Sequence, residues 1–172
     1  MIKNRTIGDG QYGTHIAPLV AAVLATEGDV YEFGSGDFST PVLHELMGYL
    51  KIHQPHRLLY SFDSNEQWVK NFADLDNGYW HFVSFISDWD KVIVRKCGVV
   101  FIDHAPAERR IVDIERFKDM ADIIVVHDTQ KSNYYGYEPL LSSFKYRFDY
   151  ERYSQKTTFV SNFIDVTQIM ET

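Results

Sequence analysis

The stretch that decides the fold is GDVYEFGSGDFSTPVLHEL, Gly28 to Leu46. A short apolar run (Val30, Tyr31, Phe33) carries one acid, Glu32, and stops at Gly34-Ser35-Gly36. The residues after it, from Thr40 to Lys51, have helical spacing, with Pro41 tolerated in the first turn. A strand that delivers two glycines and an acid to a helix start fits a place where a ligand must approach the main chain.

Working outward, the same alternation continues. Upstream, HIAPLVAAVLATEG reads as a helix capped by Thr14 and stopped by Gly28. Downstream, strands are expected at Arg57–Phe62, at WHFVSFI (80–86), at CGVVFID (97–103) and at ADIIVVHD (121–128). Helices are expected in SNEQWVKNFADL, with Ser64 and Gln67 as a capping box, and in PAERRIVDIERFKDM. Two longer strands, FKYRFDYERY and KTTFVSNFIDV, then close the chain around a turn at Ser154-Gln155. This order predicts an α/β, Rossmann-like three-layer sandwich, with a seven-stranded, mostly parallel sheet and a C-terminal antiparallel hairpin. Residues 1–172 read as one domain, with 1–13 as a polar, glycine-punctuated arm.

Ligands in such sheets bind at the carboxyl ends of the strands. Here those ends carry acids: Glu32 inside the first strand, then Asp63, Asp88, Asp103 and Asp128. One or two would be ordinary turn chemistry, but four successive strands ending in Asp point to a shared site. The formal charge of −7 argues against a general nucleic-acid binder, which needs a basic field. Cys97 is alone, so neither an internal disulfide nor a cysteine metal cluster is expected. With no targeting pattern and no apolar run approaching a membrane span, the expected setting is cytoplasmic, without membrane association.

Three readings of EFGSGDFS compete. It can be a strand-to-helix turn that uses glycine for its backbone angles alone. It can be the dinucleotide fingerprint G-x-G-x-x-G of an NAD(P)-dependent oxidoreductase, although its third glycine position falls on Ser39. As E-x-G-x-G after a preceding helix, it resembles motif I of the class I S-adenosylmethionine-dependent methyltransferases, and Asp63 resembles their motif II acid. The resemblance spans about residues 14–165. It implies a cosubstrate site at Glu32, Gly34, Ser35, Gly36, Asp63, Asp88 and Trp89. Asp63 would take the ribose hydroxyls and Asp88 the adenine amine, with Trp89 stacking on the ring or serving as a core aromatic. Glu32 would order the loop. An acidic pocket also suits a ligand whose amine and sulfonium are cationic.

VVFIDHAPAERR and IIVVHDTQKSNYYGY hold the candidate chemical groups, Asp103, His104, His127 and Asp128. The resemblance is nearest to the small O-methyltransferases, in which acids after the fourth and fifth strands hold a divalent cation that lowers the pKa of the acceptor oxygens. That places Asp103 and Asp128 as metal ligands, with Mg2+ the expected ion if they are joined by oxygen donors. The third ligand, for which Asn133 and His127 are candidates, departs from the pattern, and a histidine would shift the preference toward manganese, iron or zinc. Without a metal, His104 or His127 is the expected general base. His15 either closes over the cosubstrate or simply starts the first helix. Tyr134, Tyr135 and Tyr137 either shape an acceptor pocket or pack on one another.

The N/D-P-P-Y/F motif of the amino-methylating branch is absent. Only short connections separate the elements, so the acceptor must be selected by the arm, the 129–139 loop or a neighbouring subunit of a homo-oligomer. The expected function is methyl transfer to a small-molecule hydroxyl. The alternatives are an oxidoreductase and a non-catalytic S-adenosylmethionine-binding module on the same fold.

Overall fold

The structure is a computed structural model that describes residues 13–169. Most of the expected N-terminal arm, residues 1–12, lies outside the described residues. Seven strands form one sheet: β1 (Val30–Phe33), β2 (Leu59–Asp63), β3 (His81–Phe85), β4 (Cys97–Ile102), β5 (Ala121–Val126), β6 (Tyr146–Tyr150) and β7 (Thr157–Ser161). Their order is β3-β2-β1-β4-β5-β7-β6. The first five strands run parallel, and β7 joins antiparallel to both β5 and β6. This is the expected architecture. The chain reverses its direction of winding between β1 and β4, so those two strand ends flank the crevice where ligands bind on such sheets.

The central strands are buried on both faces, and their side chains alternate between two cores. Phe33, Val100, Ile102, Ile124 and Val126 join the core under α4 (Arg110–Phe117) and α5 (Glu138–Leu141). Val30, Val99, Phe101, Ile123 and Val125 join the core under α1 (Ile16–Leu24) and α2 (Ser39–Leu50). Leu43, Met47 and Leu50 recur at helical spacing, which is why α2 lies flat on the sheet; Leu46 packs at its edge. Fully burying each such side chain contributes about 1.5–3 kcal/mol.

Three local expectations change. The helix after β2 is only α3 (Glu66–Val69), followed by a 3-10 turn at Lys70–Phe72, and its cap is Asn65, which accepts from the Trp68 N–H at 3.0 Å, rather than Ser64. Strand β2 starts at Leu59 because Arg57 turns inward, donating to the carbonyls of Val23 and Thr26 at 2.9 and 2.8 Å. The hairpin strands β6 and β7 are five residues each, shorter than their hydrophobic runs. No helix among the described residues is long and apolar enough to cross a membrane.

Candidate functional site

The parallel register places the exits of β2, β1, β4 and β5 along one edge of the sheet: Phe33 pairs with Phe62 and with Ile102, and Ile102 with Val126. Gly34, Asp63, Asp103 and His127 each follow or end one of those strands, so they lie along that one edge.

Gly34 is required by two separate constraints. Its φ is +104°, and a Cβ there would sit 2.7 Å from the main chain of Asp103 and His104. At Gly36 an added Cβ would meet only Ser39 Oγ, at 3.1 Å, so the main chain is open on that side. The turn itself is held firmly. Both the Gly34 and Ser35 N–H groups donate to the Phe62 carbonyl, and Trp68 Nε1 donates to the Ser35 carbonyl at 2.7 Å. The Gly36 N–H donates to Thr40 Oγ1 at 2.9 Å. Ser35 Oγ is buried and has no hydrogen-bond partner among the described residues.

Glu32 lies beneath this turn, fully buried. It accepts from Thr40 Oγ1 at 2.9 Å, and the Ser39 and Ser61 hydroxyls also bond it. Thus Ser39, where a dinucleotide fingerprint needs glycine, spends its hydroxyl on Glu32. Burial pushes the Glu32 carboxyl up from its ordinary 4.5 to about 7, against those hydrogen bonds. A raised folded value means that the neutral acid is the favoured buried form. Its stability contribution is complete below 4.5 and is lost as pH rises through 7. Glu32→Gln is therefore expected to flatten that slope and to raise stability at pH 8 by about 3 kcal/mol, read from urea unfolding at pH 5 and pH 8. An unchanged slope would count against the assignment.

Asp63 accepts from the Asn65 N–H at 2.8 Å; burial raises its carboxyl, against the N–H groups of Asn65, Ser35 and Ser64. Asp88 bonds the Asp90 N–H at 3.0 Å and stays half-buried. Trp89 is 6% exposed, and its indole lies against His104 (ring centroids 4.3 Å apart) and Phe33 (5.2 Å). It packs as a core aromatic, the second of the two roles open to it from sequence.

Face parity separates the two histidine candidates. Asp103 and His127 continue the register of Phe101 and Val125 and point to the α1 side of the sheet. His104 falls on the opposite side, 1% exposed, with Nε2 3.0 Å from Asp113 Oδ2. A general base must reach its substrate, so the structure corrects the assignment of His104: it anchors α4 instead. Asp113 also accepts from Arg109 at 3.2 Å and Arg116 at 2.7 Å. Burial would raise its carboxyl, but His104 and the two guanidinium groups hold it below the usual range.

His127 remains at the site. Its Nδ1 is 3.1 Å from Thr157 Oγ1, and its Nε2 is 3.7 Å from Asp128 Oδ1. Burial lowers it to about 4, against the pull of Asp128, so the imidazole is neutral near pH 7. Asp128 adopts φ +58°. Asp103 is raised to about 7 by burial, against Arg110, with Asp128 and Glu32 adding like charge. Arg110, 6% exposed, was not singled out by motif: it donates to the His104 and His127 carbonyls, both at 2.9 Å, and pairs with Asp103 Oδ1 at 3.0 Å. It braces the exits of β4 and β5 together. His15, at the start of α1, is 3% exposed, and its ring centroid lies 4.6 Å from that of His127.

The donor set tests the two expected ligands differently. An open main chain at Gly36, an orphaned Ser35 hydroxyl and a carboxylate at Asp63 fit an S-adenosyl cosubstrate. For a metal, the three donors that gather within 4.8 Å of one another among the described residues are those of His15, Asp103 and His127, a set of two imidazoles and one carboxylate that does not include Asp128.

Similarity to known proteins supports the fold. No family model matches the chain, and no curated protein matches it in sequence. Solved structures do. A precorrin-6y C5,15-methyltransferase from Geobacter metallireducens superposes with a TM-score of 0.61 at 12% identity, over 91% of this chain and 93% of that one. The cofactor-bound Rv0187 from MTB gives 0.62 at 14%, over 95% and 85%. A SAM-dependent O-methyltransferase from Thermotoga maritima gives 0.58 at 10%, over 87% and 65%. The chain has the fold of class I S-adenosylmethionine-dependent methyltransferases.

Proposed function

We propose that this protein is an S-adenosylmethionine-dependent methyltransferase whose acceptor is the hydroxyl oxygen of a small molecule. The observation that carries the reading is the junction of β1 with β4, where a glycine turn left open at Gly36 lies on the same sheet edge as Asp63 and the Asp103–His127–Asp128 group. Gly34, Ser35 and Gly36 would lie along the amino-acid end of the cosubstrate, Asp63 would accept the ribose hydroxyls, and Asp88 would receive the adenine amine. Trp89 supports that wall through Phe33 and His104. Glu32 acts through Thr40 and Ser39 and sets the turn without touching the ligand.

S-adenosylmethionine, when bound, supplies a methyl group on sulfonium that an oxygen nucleophile can take in line. The chain's own part is to orient the acceptor, exclude water and receive a proton. Arg110 holds Asp103 so that its carboxylate can orient the acceptor hydroxyl. Thr157 fixes the His127 ring, leaving Nε2 beside Asp128, and the acceptor's proton leaves to that pair. The net charge of −7 supports a small acceptor over a polynucleotide.

The test is transfer of a tritiated methyl from S-adenosylmethionine into separated small-molecule, RNA and protein fractions of a cell extract. Base-stable label in the small-molecule fraction, lost in Asp103→Asn and His127→Ala, is the expected outcome. Label confined to RNA would make the acceptor a nucleic acid. Cosubstrate binding without label in any fraction would make the protein a binding module.

A further inference from the structure

We infer that His15, Asp103 and His127 form a binding site for a divalent first-row transition ion, built from two imidazoles and one carboxylate. One ligand atom from each residue lies within 4.8 Å of the others, close enough for small side-chain rotations to bring all three onto one ion. Three further observations make this more than a chance cluster. Both ring nitrogens of His15 are buried with no hydrogen-bond partner among the described residues, which is costly for a polar ring with no ligand to satisfy it. His127 is set as a ligating histidine is, with Nδ1 on Thr157 Oγ1 at 3.1 Å, while Nε2 lies 3.7 Å from Asp128 Oδ1, beyond hydrogen-bond distance, and can turn to an ion. Arg110 does the same for the carboxylate, holding Asp103 through Oδ1 at 3.0 Å.

The donor chemistry selects the ion. Two nitrogens and one oxygen favour zinc, iron(II), cobalt or manganese over magnesium, which prefers oxygen and retains its water. Three protein donors also leave coordination positions for water or an acceptor oxygen. With both imidazoles engaged, the Asp128 carboxylate is the member of the His127–Asp128 pair left to receive a proton. The site joins α1 to the exits of β4 and β5 and is independent of what occupies the glycine turn.

The test uses the full-length protein stripped with chelator and titrated with Co2+ while its visible absorption is followed, with Zn2+ and Mg2+ titrated by calorimetry. One equivalent of Co2+ should produce a ligand-field band, and Zn2+ should bind tightly while Mg2+ gives no saturable heat. Thr157→Val should weaken Zn2+ binding roughly 10- to 100-fold, and His15→Phe, which fills the same space, should weaken it further. His53→Ala/His56→Ala, on the exposed surface, should bind as the parent does. Absence of the band in the parent, or its persistence in both His15→Phe and His127→Gln, would overturn the site, as would its loss in the His53/His56 variant. S-adenosylhomocysteine binding, measured on the same samples, reports separately on the methyltransferase reading, so either can fail alone.

Discussion

Gly34→Ala is expected to destabilise the protein by about 3–5 kcal/mol, a large share of the stability of an ordinary domain. Two costs add. A side chain at φ +104° is strained wherever it points, and here its Cβ would press on the backbone of Asp103 and His104 at 2.7 Å. That backbone cannot retreat, because the Asp103 N–H donates to the Phe33 carbonyl at 2.8 Å and Arg110 grips the His104 carbonyl. Urea unfolding followed by circular dichroism measures the loss. Gly36→Ala supplies the contrast: its Cβ would meet only a serine hydroxyl, so stability should change by less than about 1 kcal/mol while affinity for S-adenosylhomocysteine falls. Equal destabilisation by the two substitutions would contradict the distinction between a packing glycine and a ligand-facing one.

Arg110→Lys is the second large effect. The guanidinium satisfies two buried carbonyls and one carboxylate at the exits of two strands, and an ammonium on a flexible stem cannot reach all three. Removing one partner from a buried charge pair costs about 3–5 kcal/mol, and lysine keeps the charge, so a loss near the lower end of that range is expected. Methyl transfer should fall further than stability accounts for, since Asp103 would lose its orientation. A variant with unchanged unfolding midpoint and undiminished transfer would remove Arg110 from the account.

The architecture was legible because the central strands and their helices carry opposite periodicities, and because Gly34, Asp63, Asp103 and Asp128 sit where strands end. The site was legible only in part. Which side of the sheet a residue faces follows a rule of alternation that depends on register to a single position, and neither DH at 103–104 nor HD at 127–128 shows that register by itself. Applied to Phe101 and Val125, it groups Asp103 and His127 and sends His104 to the other core. His15 could not be placed with them from sequence, since the packing of α1 over β4 and β5 is a long-range fact. Arg110 was hidden for a similar reason: it reads as a helix-start cation, and nothing local shows that its three acceptors lie at the exits of two different strands. The short α3 reflects a cap at Asn65 and a helix too brief to bury a side chain.

The central claim is that the glycine turn and Asp63 form one S-adenosyl site on the β1–β4 edge. Its most direct test is calorimetric titration of the full-length protein with S-adenosylhomocysteine and, separately, with NADH. The account expects a single saturable S-adenosylhomocysteine site, weakened at least ~10-fold by Asp63→Asn, which deletes a charge-assisted hydrogen bond. It expects no saturable binding of NADH. Saturable heat from NADH with none from S-adenosylhomocysteine would contradict it.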